Sequence, residues 1–183
     1  MHSKFYLQIE KSTAHRPIRD ILSSAVIADR DLLPELIELA LNVSDKNHHK
    51  ACWILEFVME EKIEWLKDYL PEFCSALSHI KHDGALRSVS KICLFAVTHR
   101  QKQPDFLSEE NIEMITEASF DWLINPNGKV ATKAYAMRTL FMSGKNNDWI
   151  YPELKRILSE DAAKHSSAYI AAAKDILKKL AHK

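Results

Sequence analysis

The chain has 183 residues, of which 46% are hydrophobic, and its 25 Lys and Arg residues balance its 25 Asp and Glu residues. This length predicts one domain, and the apolar content suffices for a continuous core. No run of about 18 apolar residues and no charged-then-apolar leader occurs, so we expect neither a membrane span nor secretion. No β-branched residues alternate along the chain, which predicts essentially no sheet.

The N-terminal segment, residues 1–14, is polar apart from an apolar patch at residues 5–9, which predicts a short helix or a frayed arm. Pro17 then opens a helix that is expected to end near Asp29, because proline is tolerated in a first helical turn. This helix is expected to cap the N-terminal end of the structure that follows.

The first complete unit, residues 31–61, is predicted to form a helix, a polar turn and a second helix. In its first helix, leucines recur at helical spacing, Asp31 is expected to cap the start, and Pro34 lies in the first turn. The polar residues 42–45 end this helix. The second helix is apolar on two sides, so it requires neighbouring helices on two sides.

The same pattern returns along the chain. Leu33-Pro34-Glu35-Leu36 is echoed by Leu70-Pro71-Glu72-Phe73 and by Tyr151-Pro152-Glu153-Leu154, at intervals of 37 and 81 residues. The longer interval is about twice a period near 40, and helix pairs with a period of roughly 40–47 residues are typical of HEAT-type repeats. A unit without the proline, around residue 111, fills the gap. The predicted units span about 31–61, 62–100, 105–144 and 146–183.

Two local signals refine the later units. Pro71 predicts a short turn over residues 63–69, followed by a helix reaching to about residue 80. Ser108 is expected to cap the first helix of the third unit, because Glu109 and Glu110 in the next turn suit the positive end of the helix dipole. The second helices of the last three units are predicted over residues 84–100, 130–142 and 163–181.

On these motifs, together with residues 50–55, 69–73, 133–138 and 149–154, the chain resembles short bacterial HEAT-like proteins of the armadillo-like class. The resemblance covers about the last four-fifths of the chain. It implies an all-α, right-handed superhelix, an α-solenoid of about four helical hairpins with an N-terminal capping helix. It also implies that residues 15–183 form a single repeat domain.

Some short sequences of this kind are labelled adenylosuccinate lyase. The signature loop of that enzyme family, rich in serine and followed by Met-Pro and basic residues, has no counterpart in this chain.

The charges are sorted between the two helices of each unit, although they cancel over the whole chain. The predicted first helices and their turns hold 17 acidic and five basic residues, whereas the second helices hold 14 basic and four acidic residues. Second helices generally line the concave side of HEAT-like superhelices, so the resemblance and the charges together predict a basic inner groove and an acidic outer face. The ranges compared are 31–42, 62–83, 105–124 and 148–161 against 46–61, 84–100, 128–145 and 162–183.

Arg87 and Lys91 lie four residues apart, as do Lys129 and Lys133, so each pair shares one helix face. A groove of one charge sign raises the local concentration of an oppositely charged partner. The first expectation is a scaffold that binds a protein or an acidic segment in this groove, and the alternative is a nucleic acid, whose affinity rests largely on phosphate contacts. The opposing interpretation is that these charges form salt bridges between neighbouring helices. The candidate groove residues are His49, Lys50, Arg87, Lys91, Lys129 and Lys133.

The sequence carries no motif for catalysis or for a cofactor. A Gly-rich phosphate loop, a Cys-x-x-Cys pair and a Gly-x-Ser-x-Gly elbow are all missing, so we expect a non-catalytic protein without a cofactor or metal. His79, His82 and Asp83 are close in sequence, but a metal site needs three or four converging ligands. DNA glycosylases of the alkylation-repair kind also use HEAT-like stacks with a basic face, but no catalytic carboxylate with flanking aromatics can be placed in this chain.

The remaining cysteine and aromatic residues are predicted to belong to the core. Cys52, Cys74 and Cys93 are odd in number and lie in apolar helical patterns, which predicts buried free thiols in a reducing cytoplasm. The four tryptophans and Tyr135 also fall in apolar registers. The sequence specifies neither the partner nor the oligomeric state.

Overall fold

The computed structural model describes residues 3–161 and 165–182. These residues contain ten α-helices and three short 3-10 segments and no strand, so the predicted all-α class is confirmed. None of the described helices is long and apolar enough to cross a bilayer. The helices are α1 (Lys4–Lys11), α2 (Arg16–Ala28), α3 (Leu33–Leu41), α4 (His48–Glu61), α5 (Leu70–Ala76), α6 (Asp83–Arg100), α7 (Glu109–Ile124), α8 (Val130–Ser143), α9 (Ile150–Asp161) and α10 (Ser167–Leu180).

The helices stack in two layers. In the second-helix layer, α2 packs on α4, α4 on α6, α6 on α8, and α8 on α10. The first-helix layer consists of α3, α5, α7 and α9, in which α3 contacts α5 and α5 contacts α7. The layers meet where α3 packs on α4, α7 on α8, and α9 on α8 and α10. Stacked helix pairs of this kind form an α-solenoid, as the repeat period predicts.

Helix α4 is covered by other helices on more than one side. Its residues Ile54, Leu55 and Val58 are fully buried, and the helix contacts α2, α3 and α6. Burying a large aliphatic side chain contributes about 1.5–3 kcal/mol. The prediction that this helix requires neighbours on two sides is therefore confirmed.

The N-terminal segment forms a helix rather than a frayed arm within its described residues. The Ser3 hydroxyl accepts a hydrogen bond from the Tyr6 backbone N–H at 2.9 Å and so caps α1. Phe5 and Ile9 are buried, and α1 packs against α4. Residues 1 and 2 of the predicted arm lie outside the described residues.

The predicted helix ends agree with the structure at Ser108 and before Pro71 but not at Asp31. Ser108 caps α7 and forms a capping box with Asn111. A 3-10 segment over Ile63–Tyr69 precedes α5, as Pro71 predicts, although α5 ends at Ala76 rather than near residue 80. The predicted cap at Asp31 is wrong, because this residue lies inside the 3-10 segment Arg30–Leu32 and its backbone N–H donates to the Asp29 carboxylate at 3.2 Å. The predicted last turn, residues 159–164, lies partly outside the described residues.

All three cysteines are buried free thiols, as predicted. Burial raises the pKa of the Cys52 and Cys74 thiols to about 12, and it raises that of Cys93 as well. A thiol with so high a pKa stays protonated near neutral pH and packs as a small apolar group.

Candidate binding surface

A buried carboxylate organises the contact between α4 and α6. The Glu56 side chain is only 1% exposed, and the Ser88 hydroxyl donates to its Oε2 at 2.6 Å. Arg87 Nη1 lies 3.4 Å from Oε2, and Lys91 Nζ lies 3.1 Å from Oε1. Two of the predicted groove cations are therefore brought together, and what joins them is an acidic residue of the neighbouring helix.

Lys91 has a second carboxylate partner on α4. Its Nζ donates to Glu60 Oε2 at 2.9 Å and lies 5.2 Å from the centroid of the Phe95 ring. Burial opposes the charge of this amine, but the bonds to Glu60 and Glu56 outweigh burial and raise the pKa of Lys91. The positive charge of this lysine is thus largely compensated inside the second-helix layer.

The two predicted lysines of α8 lie in different environments. Lys129 precedes α8 at the surface, where its Nζ is 3.4 Å from Asp83 Oδ2. Lys133 is only 2% exposed, and its Nζ lies 5.7 Å from the centroid of the Tyr169 ring on α10. The side chain of Lys133 therefore packs between α8 and α10, and it offers no charge to an external partner.

His49 lies in a cluster of aromatic rings where α4 meets the start of α6. Its imidazole stacks on His82 with centroids 4.1 Å apart, and Trp53 contacts it edge-on at 5.0 Å. Burial lowers the pKa of His49 and of His48, and the nearby His82 ring adds to both shifts. The adjacent Lys50 directs its Nζ to the Glu10 carbonyl of α1.

Three exposed cations in the second-helix layer lie outside the set of predicted groove residues. Arg138 on α8 and Lys174 and Lys178 on α10 are exposed, and within the described residues no carboxylate forms a salt bridge with any of them. Asp175 lies close by, where its hydrogen bond with Lys179 lowers its pKa and the charges of Arg138 and Lys178 add to the effect. Lys174 and Lys178 are four residues apart on one helix, so the spacing applied to Arg87 and Lys91 could have found them.

The repeat pattern and the stacked pairs agree with a comparison against known families. A family model described as a HEAT repeat domain matches residues 6–180. The chain belongs to the HEAT repeat family. HEAT repeat domains are typically non-enzymatic scaffolds that mediate protein interactions. No curated protein and no solved structure was found that matches this HEAT repeat protein.

One tryptophan of this HEAT repeat protein departs from the predicted core. Trp122 is buried, whereas Trp149 is 55% exposed and stacks on Phe120 with ring centroids 5.6 Å apart. Trp149 lies just before α9 begins, so one face of its ring packs against α7 while the other faces solvent. The prediction of a core role for Trp149 is wrong. The apolar spacing in the sequence does not show that α7 covers only one face of the Trp149 ring.

The histidines near the start of α6 serve the backbone. His79 Nδ1 lies 3.2 Å from the Ser75 carbonyl at the end of α5. His82 Nδ1 accepts from the Gly84 N–H at 3.1 Å and caps α6. In the part of the chain that the structure describes, no group of three or more His, Cys, Asp or Glu residues is placed to hold a metal ion.

Proposed function

We propose that this HEAT repeat protein is a non-catalytic scaffold that binds an acidic segment of a partner protein through the exposed face of α8 and α10. The observation that carries the proposal is the set of exposed cations Arg138, Lys174 and Lys178. A partner carboxylate can pair with these cations without first breaking a salt bridge of the scaffold. We further propose that residues 15–183 act as one repeat domain, with the second-helix layer on its concave side.

The groove residues predicted from the sequence differ in how readily they can contact a partner. Arg87 on α6 is 42% exposed and Lys129 is exposed just before α8, so both remain accessible to a partner, although each already has a carboxylate neighbour. Lys91 and Lys133 hold helices together instead. His49 and Lys50 lie at the other end of the layer, against α6 and α1.

A protein segment fits this face better than the alternative, a nucleic acid. Asp175 on α10 is half exposed beside Lys179. A nucleic acid carries a phosphate at every nucleotide and so brings negative charge next to this carboxylate, whereas an acidic segment can place its carboxylates on the cations and an uncharged residue beside Asp175. A polypeptide can also offer backbone N–H groups or a basic side chain to this carboxylate.

The test is a fluorescence-anisotropy titration of a labelled dodecapeptide rich in Glu and Leu, run beside labelled duplex and single-stranded DNA at two salt concentrations. The variant Arg138→Glu/Lys174→Glu/Lys178→Glu is compared with the wild type. The matched control, Lys67→Glu/Lys102→Glu/Lys155→Glu, changes the same charge at three exposed lysines outside this face.

We expect saturable peptide binding that weakens with salt, and an affinity about tenfold or more lower for the first variant than for the control. Tighter binding of DNA than of the peptide, lost in the same variant, would replace the proposal with the nucleic-acid alternative. Equal losses in both variants would show a response to net charge alone and would refute a site on α8 and α10.

A further inference from the structure

Helix α7 in the first-helix layer presents an acidic face to solvent. Its 16 residues include five acidic and no basic side chains. Glu110, Glu113, Glu117 and Asp121 follow one another at intervals of three or four residues, so they share one side of the helix, and all four are exposed. Over residues 3–161 and 165–182 none of these four carboxylates forms a salt bridge.

An apolar groove runs beside this face, between α7 and α9. Phe120 and Trp149 stack at 5.6 Å with an angle of 21° between their rings, and they form one wall of a groove of about 670 Å³. Ile124 and Trp149 are 56% and 55% exposed, and Pro152 and Ile157 extend the lining. Single exposed apolar residues are ordinary, but adjacent ones lining a groove are typical of a contact surface.

The other flank of α7 has a similar depression. Met114 lines two adjoining cavities of about 420 and 470 Å³ between α5 and α7, together with Leu77 in one and Leu70 in the other. A methionine wall adapts to differently shaped apolar side chains. The carboxylates of α7 therefore form a ridge between two depressions with apolar walls.

Among the described residues that line the groove, the one cation, Arg156, is already paired on α9. Arg156 bonds to Glu153 at 2.5 Å and to Glu160 at 2.8 Å, and these two carboxylates raise its pKa. The cation nearest the groove is thus enclosed by two acidic residues of its own helix. An occupant of the groove meets an apolar wall beside uncompensated negative charge.

We propose that this surface binds a basic amphipathic segment of a partner protein. A large apolar side chain of the segment covers Trp149 and Ile124, and its Lys or Arg side chains face the carboxylates of Glu113 and Glu117. Exposed tryptophans at grooves are frequent energetic anchors of interfaces, and complementary charge sets orientation and specificity. This surface lies in the opposite layer from the face of α8 and α10, and it does not depend on the function proposed for that face.

The probe is a phage-displayed library of random dodecapeptides selected on the full chain, because it leaves the composition of the ligand open. We expect the selected peptides to be enriched in Lys and Arg together with Leu, Phe or Trp. Labelled copies of the selected peptides are then titrated by fluorescence anisotropy, and their binding is expected to weaken as salt is added.

Two independent variants test the two halves of the surface. Ile124→Ser/Trp149→Ser removes the apolar wall, and Glu113→Lys/Glu117→Lys reverses the adjacent charge. The matched controls are Ile21→Ser, an apolar residue on α2 that is 63% exposed, and Asp31→Lys/Glu38→Lys near α3. Each test variant is expected to weaken binding about tenfold or more, while each control stays within about twofold of the wild type.

Three outcomes would overturn the proposal. The first is a selection that yields no binders or yields acidic peptides. The second is binding that the two test variants and the two controls reduce equally. The third is self-association of the free chain in analytical ultracentrifugation that Ile124→Ser/Trp149→Ser abolishes, because the groove would then be occupied by a second copy. Circular dichroism melting shows whether each variant is folded, so that a loss of binding is not mistaken for a loss of folding.

Discussion

In the contact between α4 and α6, Arg87 and Lys91 each meet the carboxylate of Glu56, whereas Arg138 on α8 and Lys178 on α10 face solvent. Both pairs of cations lie in the second-helix layer, where basic residues outnumber acidic ones. The difference lies in the neighbouring helix, because α4 supplies a buried acid, whereas α8 has no acidic residue and the Asp175 carboxylate of α10 is half exposed and bonded to Lys179. Excess charge of one sign therefore holds the stack together in one region and remains available to a partner in another.

The largest expected effect comes from removing the buried carboxylate. Glu56→Ala leaves the Ser88 hydroxyl and two cations without their shared acceptor, so we expect a loss of about 2–4 kcal/mol in the free energy of unfolding. The figure is below that for a fully buried ion pair because Arg87 retains partial contact with water. Urea denaturation of the variant measures it, and a loss under about 0.5 kcal/mol would show that the α4–α6 contact does not depend on this carboxylate.

A smaller loss is expected when only the partly exposed cation of this contact is removed. Arg87→Gln leaves Glu56 with the charge of Lys91 and the hydroxyl of Ser88, at a cost of about 0.5–1.5 kcal/mol. Affinity for the acidic peptide should fall by no more than about threefold, since Arg87 belongs to the α4–α6 contact rather than to the face of α8 and α10. Denaturation and anisotropy on the same sample separate the two effects. A stable variant that no longer binds would reverse the assignment of the two regions.

The histidines of α4 give this region a dependence on pH. The folded pKa values of His48 and His49 lie below the unfolded value of about 6.5, so the unfolded chain binds more protons in that range. Stability is expected to be complete above pH 6.5 and to decline as the pH falls toward the folded pKa values. Thermal melts between pH 7.5 and 5.5 measure this decline.

The variant His48→Gln/His49→Gln should flatten that decline, whereas a control at the exposed His15, His15→Gln, should keep it. A wild-type melting temperature that does not change between pH 7.5 and 5.5 would contradict the low pKa values of the two imidazoles.

The smallest effect is expected for exposed ion pairs. Lys179 Nζ lies 2.7 Å from Asp175 Oδ2 one turn earlier in α10, and both side chains are half exposed. Such exposed pairs contribute little to the free energy of unfolding, so Lys179→Gln should hardly change urea denaturation. A loss of unfolding free energy as large as that of Glu56→Ala would mean that exposed and buried ion pairs contribute equally to the stability of this protein.

Local features of the fold could be predicted because neighbouring residues determine them. Ser108 caps α7 through Asn111 three residues later, and Pro71 ends a short turn at the residues expected. The repeat period near 40 likewise predicts the stacking of helix pairs. In contrast, the predicted cap at Asp31 failed because Asp29, two residues earlier, offers its carboxylate first.

The candidate surface could be predicted only in part, because it depends on which side chains face each other across the stack. Glu56 and its partners Arg87 and Ser88 are 31 and 32 residues apart, and no local pattern indicates that they meet. Lys133 lies four residues after Lys129, yet the adjacent α10 buries it. Trp149 lies in an apolar register, but it stacks on Phe120 and stays 55% exposed.

The most direct measurement is the rate at which each lysine amine is acylated by a small N-hydroxysuccinimide ester, followed by mass spectrometry with and without the acidic dodecapeptide. The comparison of the two regions predicts fast labelling of Lys174 and Lys178, slow labelling of Lys91 and Lys133, and protection by the peptide only at Lys174 and Lys178. Fast labelling of Lys91 with protection there, and none on α10, would contradict the division of the layer into a structural and a binding region.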